Sequence, residues 1–439
     1  MHSLEQLRSG ELDGARYLKL SENLTTFPPE ILSLKETLEV LDLTGNQLNT
    51  LPDALAGFSK LRIIFCSENH FTELPEVLGR CPSLTMVGFK ANRIVRVPGA
   101  SLPTHLRWLI LTDNAIERLP DELGQCGGLQ KLMLAGNRLC TLPDLSRCRR
   151  LELVRLSANR LRVLPSSLLT LPRLSWLAFA GNPCCAEPER GATPAIPWDA
   201  LRLGELLGEG ASGRIFSARL PGERPVAVKL FKGAMTSDGL PGCEMAAALA
   251  AGEHRGLIPL LGEVEAHPQG SPALVMDLVD PALVTLAGPP SLDSCTRDIY
   301  PQGFHLTLSA AIRLLWTIAS VGAHLHGGGI LHGDLYGHNI LHDARGRALL
   351  GDFGAASFYE PGTPLGRALE SIEVRAFGCL MEELLARSQA SGDGAMAAVS
   401  GLSHLASSCL SERGEERPAF AMLAARLEEM ASQEHVAMA

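Results

Sequence analysis

At 439 residues the chain has room for two domains, each large enough to bury a core. Its net charge of −9 argues against nucleic acid, and no stretch approaches the ~20 apolar residues that a membrane helix needs. The first residues lack a signal peptide's basic and apolar regions, and the 11 cysteines, an odd number, fit a reducing compartment; the expectation is a cytoplasmic protein with no nucleic-acid or membrane partner.

The chain opens on Ser3-Leu4-Glu5-Gln6, the pattern of a capping box at the head of a short helix. Asparagine then recurs at 23, 46, 69, 92, 114, 137, 159 and 182, a period of 22 or 23 residues. The first seven are each followed six residues on by a proline: Pro29, Pro52, Pro75, Pro98, Pro120, Pro143 and Pro165. A typical unit reads Leu38-x-x-Leu41-x-Leu43-x-x-Asn46-x-Leu48-x-x-Leu51-Pro52. One such turn cannot bury its own leucines, so turns must stack, with the asparagine side chain satisfying backbone groups where the chain bends. The pattern resembles leucine-rich repeats, whose period is roughly 20 to 29 residues, and its Leu-Pro form is similar to that of bacterial repeat proteins. Residues 1–182 are therefore expected to form a solenoid whose short parallel strands line a concave face. Cys81, Cys126 and Cys148 occupy a slot that Phe58 and Leu171 fill elsewhere and read as core; Cys184-Cys185 has no second pair with which to complete a zinc site.

The strand positions between the buried leucines read Tyr17, Val40, Ile63, Met86, Trp108, Lys131, Leu153 and Trp176, seven apolar or aromatic residues of eight. A solvated face would be mostly polar, so this strip, with Tyr17, Trp108 and Trp176 as its largest members, is expected to bind a protein or peptide partner. Prolines at 183, 188, 194 and 197 then mark residues 183–200 as a semi-rigid linker, after which Trp198 packs on the next domain.

From Leu203 the sequence supplies five polar and glycine elements in a fixed order. Gly208-Glu209-Gly210-Ala211-Ser212-Gly213 lies between apolar runs and suits a strand, turn and strand in which bare backbone approaches phosphates; no Lys-Ser or Lys-Thr follows, so it is not a Walker loop. Pro225 to Leu230 is a short buried strand that presents Lys229, whose ammonium needs an anion, and Glu244 in the helix-forming stretch 244–251 is the best candidate. A helical stretch, 311–325, leads to His332-Gly333-Asp334 with Asn339, and then to Asp352-Phe353-Gly354. Together these resemble the protein kinase family over roughly 203–427.

The resemblance implies a two-lobed α+β domain over 201–432, giving an α/β chain overall. It also implies ATP and Mg2+ as cofactors. Lys229 clamps phosphates, Glu244 orients it, Asp334 serves the acceptor hydroxyl, and Asn339 and Asp352 hold the metal. Leu207, Gly208, Gly210, Gly213 and Ile215 cover the nucleotide; Ala227 and Leu341 sandwich the adenine with Ile215, Met276 stands at the back, and Asp277 to Val279 offer backbone groups to its edge. Departures are equally informative. Gly333 replaces the arginine that receives an activation-loop phosphate, and Tyr336 stands where Ser/Thr-type kinases place a lysine. No Ala-Pro-Glu follows Gly354; Ala368-Leu369-Glu370 is a remnant at best, leaving Glu360 or Glu370 to pair with Arg417. Glu373, opening the large buried helix, sits where an aspartate is usual. Three functions follow: a serine/threonine protein kinase whose repeats recruit a partner or substrate, a nucleotide-binding pseudokinase scaffold, or a kinase that phosphorylates a small molecule.

Overall fold

The computed structural model describes residues 2–186, 194–210, 212–232, 235–236, 238–389 and 395–437. Residues 187–193 of the proline-rich stretch and Ala211 of the glycine-rich turn lie outside them. The chain forms two compact units: Met1–Leu171 with Asn182–Cys184, and Pro172–Gly181 with Cys185–Ala439.

In the first unit, Ser3 caps helix α1 (Leu4–Arg8) through its side chain while Gln6 returns a bond to the Ser3 amide. Seven parallel strands follow: β1 (Tyr17–Lys19), β2 (Val40–Asp42), β3 (Ile63–Phe65), β4 (Met86–Gly88), β5 (Trp108–Ile110), β6 (Lys131–Met133) and β7 (Leu153–Arg155). Tyr17, Val40, Ile63, Met86, Trp108, Lys131 and Leu153 fall in one register row. The asparagines run behind the sheet as a ladder. Asn46 donates to the Leu20 and Leu43 carbonyls at 2.9 and 2.8 Å and accepts from Glu22 and Leu24; Asn137 does the same for Leu111, Leu134 and Ile116. Prolines set the opposite side, where Pro28, Pro52, Pro75, Pro98 and Pro120 each precede a short 3-10 turn and Pro165 precedes helix α2 (Ser166–Leu169). Cys81, Cys126 and Cys148 are buried, and burial pushes the Cys148 thiol up to about 12.

The second unit begins with strand β8 (Trp176–Ala178). Its small lobe is a six-stranded sheet of β9 (Ala195–Pro197), β10 (Arg202–Glu209), β11 (Gly213–Arg219), β12 (Pro225–Phe231), β13 (Leu260–Glu265) and β14 (Ala273–Asp277), in the order β10-β11-β12-β14-β13-β9. The proline-rich stretch thus contributes an edge strand, β9, where prolines at 194 and 197 leave no central ladder bond unmade. Trp198 packs on the sheet core of Leu201, Val226, Val228 and Val275. Helix α3 (Pro241–Ala250) lies against this sheet.

The large lobe holds α4 (Leu308–Gly327), α5 (Pro364–Leu385), α6 (Ala395–Cys409) and α7 (Phe420–Ala437). By length and composition α4 could cross a membrane, which corrects the expectation that no stretch approaches that size. It is a core helix instead, with Ile312, Leu315, Ile318 and Leu325 buried, and Gly322 lets the Phe420 ring approach where a Cβ would stand only 2.7 Å from it. Helix α5 starts at Pro364 under a Thr363 cap, earlier than its buried Glu373 suggests, so Ala368-Leu369-Glu370 is helix and not loop. Alanine, leucine and glutamate are strong helix formers, and proline at the first position suits a helix start.

Candidate active site

The glycine-rich turn joins β10 to β11. A Cβ on Gly208 or Gly210 would meet nothing within 4 Å, while one on Gly213 would stand 2.6 Å from the Leu230 carbonyl oxygen. The first two therefore leave open space, and the third allows β11 to close on β12. Lys229, on β12, and Glu244, in the first turn of α3, form a buried ion pair. The second Glu244 oxygen, Oε2, is buried with no hydrogen-bond partner among the described residues. Burial pushes the Glu244 carboxyl up to about 7, against Lys229 and with help from Asp352 and Asp238.

A cavity of about 190 Å3 gathers Gly210, Gly213, Ile215, Lys229, Glu244, Met276 and Asp352 in its lining. Its apolar rear wall, Leu257, Leu260, Leu274, Leu350 and Phe353, is absent from the sequence-based set, because nothing distinguishes such residues from ordinary core. Leu207, Gly208, Ala227 and Leu341 are not among its lining residues; Leu207 is 47% exposed and Ala227 is buried in the sheet. Asp277 and Val279 border a neighbouring hollow with Trp316 and Arg347, and Asp277 pairs with Arg224 at 2.8 Å. The Asp277 N–H donates to the Pro259 carbonyl at 2.9 Å, so that amide is not open to a ligand.

Below this cavity, residues 332–339 form the catalytic-loop candidate. Asn339 Nδ2 donates to the Asp334 carbonyl and to its Oδ2 at 2.9 and 2.8 Å. His332 bonds the Gly351 carbonyl at 3.0 Å, tying the loop to Asp352, whose φ of 55° turns the chain sharply there. Glu373 of α5 is buried beneath the loop, accepting from the His332 and Gly333 amides at 3.2 and 2.6 Å and meeting His326 Nε2 at 2.8 Å. Burial alone would raise its carboxyl, but His326, His332 and the Gly333 amide outweigh that and hold it below the usual range. The longer glutamate thus serves the loop from a position where an aspartate is usual.

Two further groups at this site carry no sequence signal. His338 accepts or donates at Nδ1 to the buried Asp298 carboxylate, 2.7 Å away, and its Nε2 stands 4.0 Å from Asp334. Burial opposes its protonation, yet Asp298, then Asp334 and Asp352, hold the imidazole above its ordinary value. Asp298 lies 40 residues upstream in irregular chain, where no periodicity points to it.

Trp176 is 1% exposed and its ring stacks on Tyr336, so it is not an open partner anchor, which corrects that part of the expected strip. Trp108 is 8% exposed with Lys131 over its ring, and Tyr17 is 47% exposed. Arg417 does not pair with Glu360 or Glu370 either. It donates to the carbonyls of Ser411, Ser371 and Pro172, while Glu370 receives the Tyr359 hydroxyl.

Residues 201–389 match the family model of the protein kinase domain, and residues 37–58 that of the leucine-rich repeat. The chain is similar to CBL-interacting protein kinase 22 of Oryza sativa subsp. japonica, 32% identical over 180 residues, 37% of this chain and 38% of the relative. It is also similar to L-type lectin-domain containing receptor kinase I.3 of Arabidopsis thaliana, 30% identical over 196 residues, 41% of this chain and 25% of the relative. It spans well under half the length of these curated relatives. On these matches and the architecture above, the chain carries a protein kinase domain preceded by leucine-rich repeats.

Proposed function

We propose that this protein is an ATP-dependent phosphotransferase of the serine/threonine protein-kinase type, whose repeats recruit a protein partner or substrate. The observation that carries the reading is the gathering of Lys229, Glu244 and Asp352 around one cleft, under glycines 208 and 210 that leave open space. In this reading the Lys229 ammonium holds phosphate oxygens and Glu244 fixes its direction. Asp334 orients the acceptor hydroxyl and takes up its proton. Asn339 and Asp352 would hold Mg2+, a hard cation suited to an amide oxygen and a carboxylate; the Asn339 nitrogen is committed to Asp334, which leaves its oxygen for the metal. When bound, that ion would neutralise charge on the phosphates. A cytoplasmic location belongs to the same proposal, supported by the odd cysteine count of 11, which fits a reducing compartment. For the partner, the exposed Tyr17 end of the strip is the part best suited to contact.

A pseudokinase scaffold is the second reading, favoured by Tyr336, whose phenol lies under Trp176 and brings no charge to a phosphate. Transfer of labelled γ-phosphate, measured beside magnesium-dependent nucleotide binding, separates the two. Wild type should transfer, and Asp334→Asn should lose roughly 100-fold or more in rate while still binding nucleotide. Lys229→Ala should lose both. Nucleotide binding by the wild type without any transfer would instead support the scaffold.

A further inference from the structure

Three departures from the kinase pattern, Gly333, Tyr336 and the missing Ala-Pro-Glu, meet at one stretch of chain, Pro172–Gly181. The Trp176 indole lies on the Tyr336 ring at 4.2 Å between centroids and 7° between planes, and its Nε1–H donates to the Leu335 carbonyl at 3.0 Å. Gly333 has a φ of +73°, and a Cβ there would stand 2.7 Å from the Leu177 carbonyl oxygen and 2.6 Å from that of Ala355. The arginine's place is therefore taken by the backbone of β8 itself. The Pro172 carbonyl accepts from Arg417 and Arg375, both at 3.0 Å, and Ser175 Oγ meets Arg375 at 3.1 Å. The Phe179 amide donates to Ser357 Oγ at 3.0 Å.

The short segment 355–363 has no hydroxyl left over for a switch. Ser357 receives Phe179, the buried Tyr359 donates to Glu370 at 3.0 Å, and Thr363 caps α5. The geometry points to Pro172–Gly181 as a built-in substitute for the lost part of the segment after Gly354, with Trp176 as a positioning residue that holds loop 332–339 in place without phosphorylation. The clamp itself is independent of the proposed reaction; only its effect on turnover rests on the phosphotransferase reading.

The test uses the full chain with Trp176→Ala and Trp176→Phe, read by amide hydrogen exchange, MgATP affinity and steady-state kinetics. Removing a stacked aromatic partner should speed exchange at residues 332–340 by about tenfold in Trp176→Ala, with Trp176→Phe between it and wild type because the ring is kept and the indole bond lost. MgATP affinity and KM for ATP should stay within about twofold, since Trp176 does not line the nucleotide cavity, while kcat falls about tenfold. Phosphatase treatment of the wild type should leave kcat unchanged. Loop exchange that matches wild type in both variants, or that rises no more than in the rest of the unit, overturns the proposal. So does loss of activity on dephosphorylation. If Trp176→Ala does not fold, the milder Trp176→Phe decides through the same local readout. A wild type that transfers no phosphate refutes the phosphotransferase reading alone, because exchange still tests the clamp.

Discussion

Glu244 shows how burial sets the charge of a single carboxyl. One oxygen meets Lys229, and the other is buried without a partner among the described residues, so the proton is held up to about pH 7. A carboxyl whose value is raised on folding binds its proton more tightly in the folded state, so its contribution to stability is fully present below its unfolded value of about 4.3 and is lost as pH rises through about 7. Urea unfolding of the ligand-free protein between pH 5 and 8 should therefore show a decline that Glu244→Gln makes shallower, the raised His338 contributing the rest; an unchanged slope would refute the assignment. Gly333 offers a second residue-scale expectation. Positive φ and two carbonyl oxygens within a Cβ's reach make Gly333→Ala cost about 1–3 kcal/mol in unfolding free energy. The polar groups of this candidate site could be read in the sequence because the proposed chemistry calls for an ammonium, an amide and carboxylates in order, whereas its apolar wall could not. Nor could His338 and Asp298, since their meeting depends on tertiary folding of irregular chain.

Helix α5 carries the large lobe's most constrained polar group. Glu373 is 1% exposed and its two oxygens serve two backbone amides and His326. Its removal by Glu373→Ala leaves buried donors unmet and should destabilise the second unit by about 3–5 kcal/mol, measured by the denaturant midpoint at constant m. Because its carboxyl is held low, that stability is present above its unfolded value and is lost as pH falls. The helix's true start was hidden from the sequence by the expectation of an Ala-Pro-Glu loop; Thr363 and Pro364, an ordinary cap and first-turn proline, mark it in retrospect. Arg417 likewise found backbone carbonyls instead of an acid, an outcome that no local pattern encodes.

Across the whole molecule, repetition made the first unit readable from its asparagines, since from Asn46 onward the amide nitrogen of each donates to a carbonyl of the preceding turn. Asn137→Ala should leave the Leu111 and Leu134 carbonyls and the Ile116 amide without that partner, costing about 2–3 kcal/mol in the first unit's unfolding. For the second unit, MgATP at about 100 times its dissociation constant should add about 2.7 kcal/mol, seen as a raised melting temperature that Lys229→Ala abolishes. What the sequence concealed was where one unit gives way to the other. Period and composition suggest a joint after Asn182, yet Pro172–Gly181 belongs with the residues that follow. For a gene that grows by duplicating or trading repeats, this makes the last copy unlike its siblings. Inner turns can be gained or lost as spare links, whereas the terminal one is inherited with the kinase domain, and a swap made at the visible repeat boundary would hand the recipient that domain without the stretch that packs on its 332–339 loop.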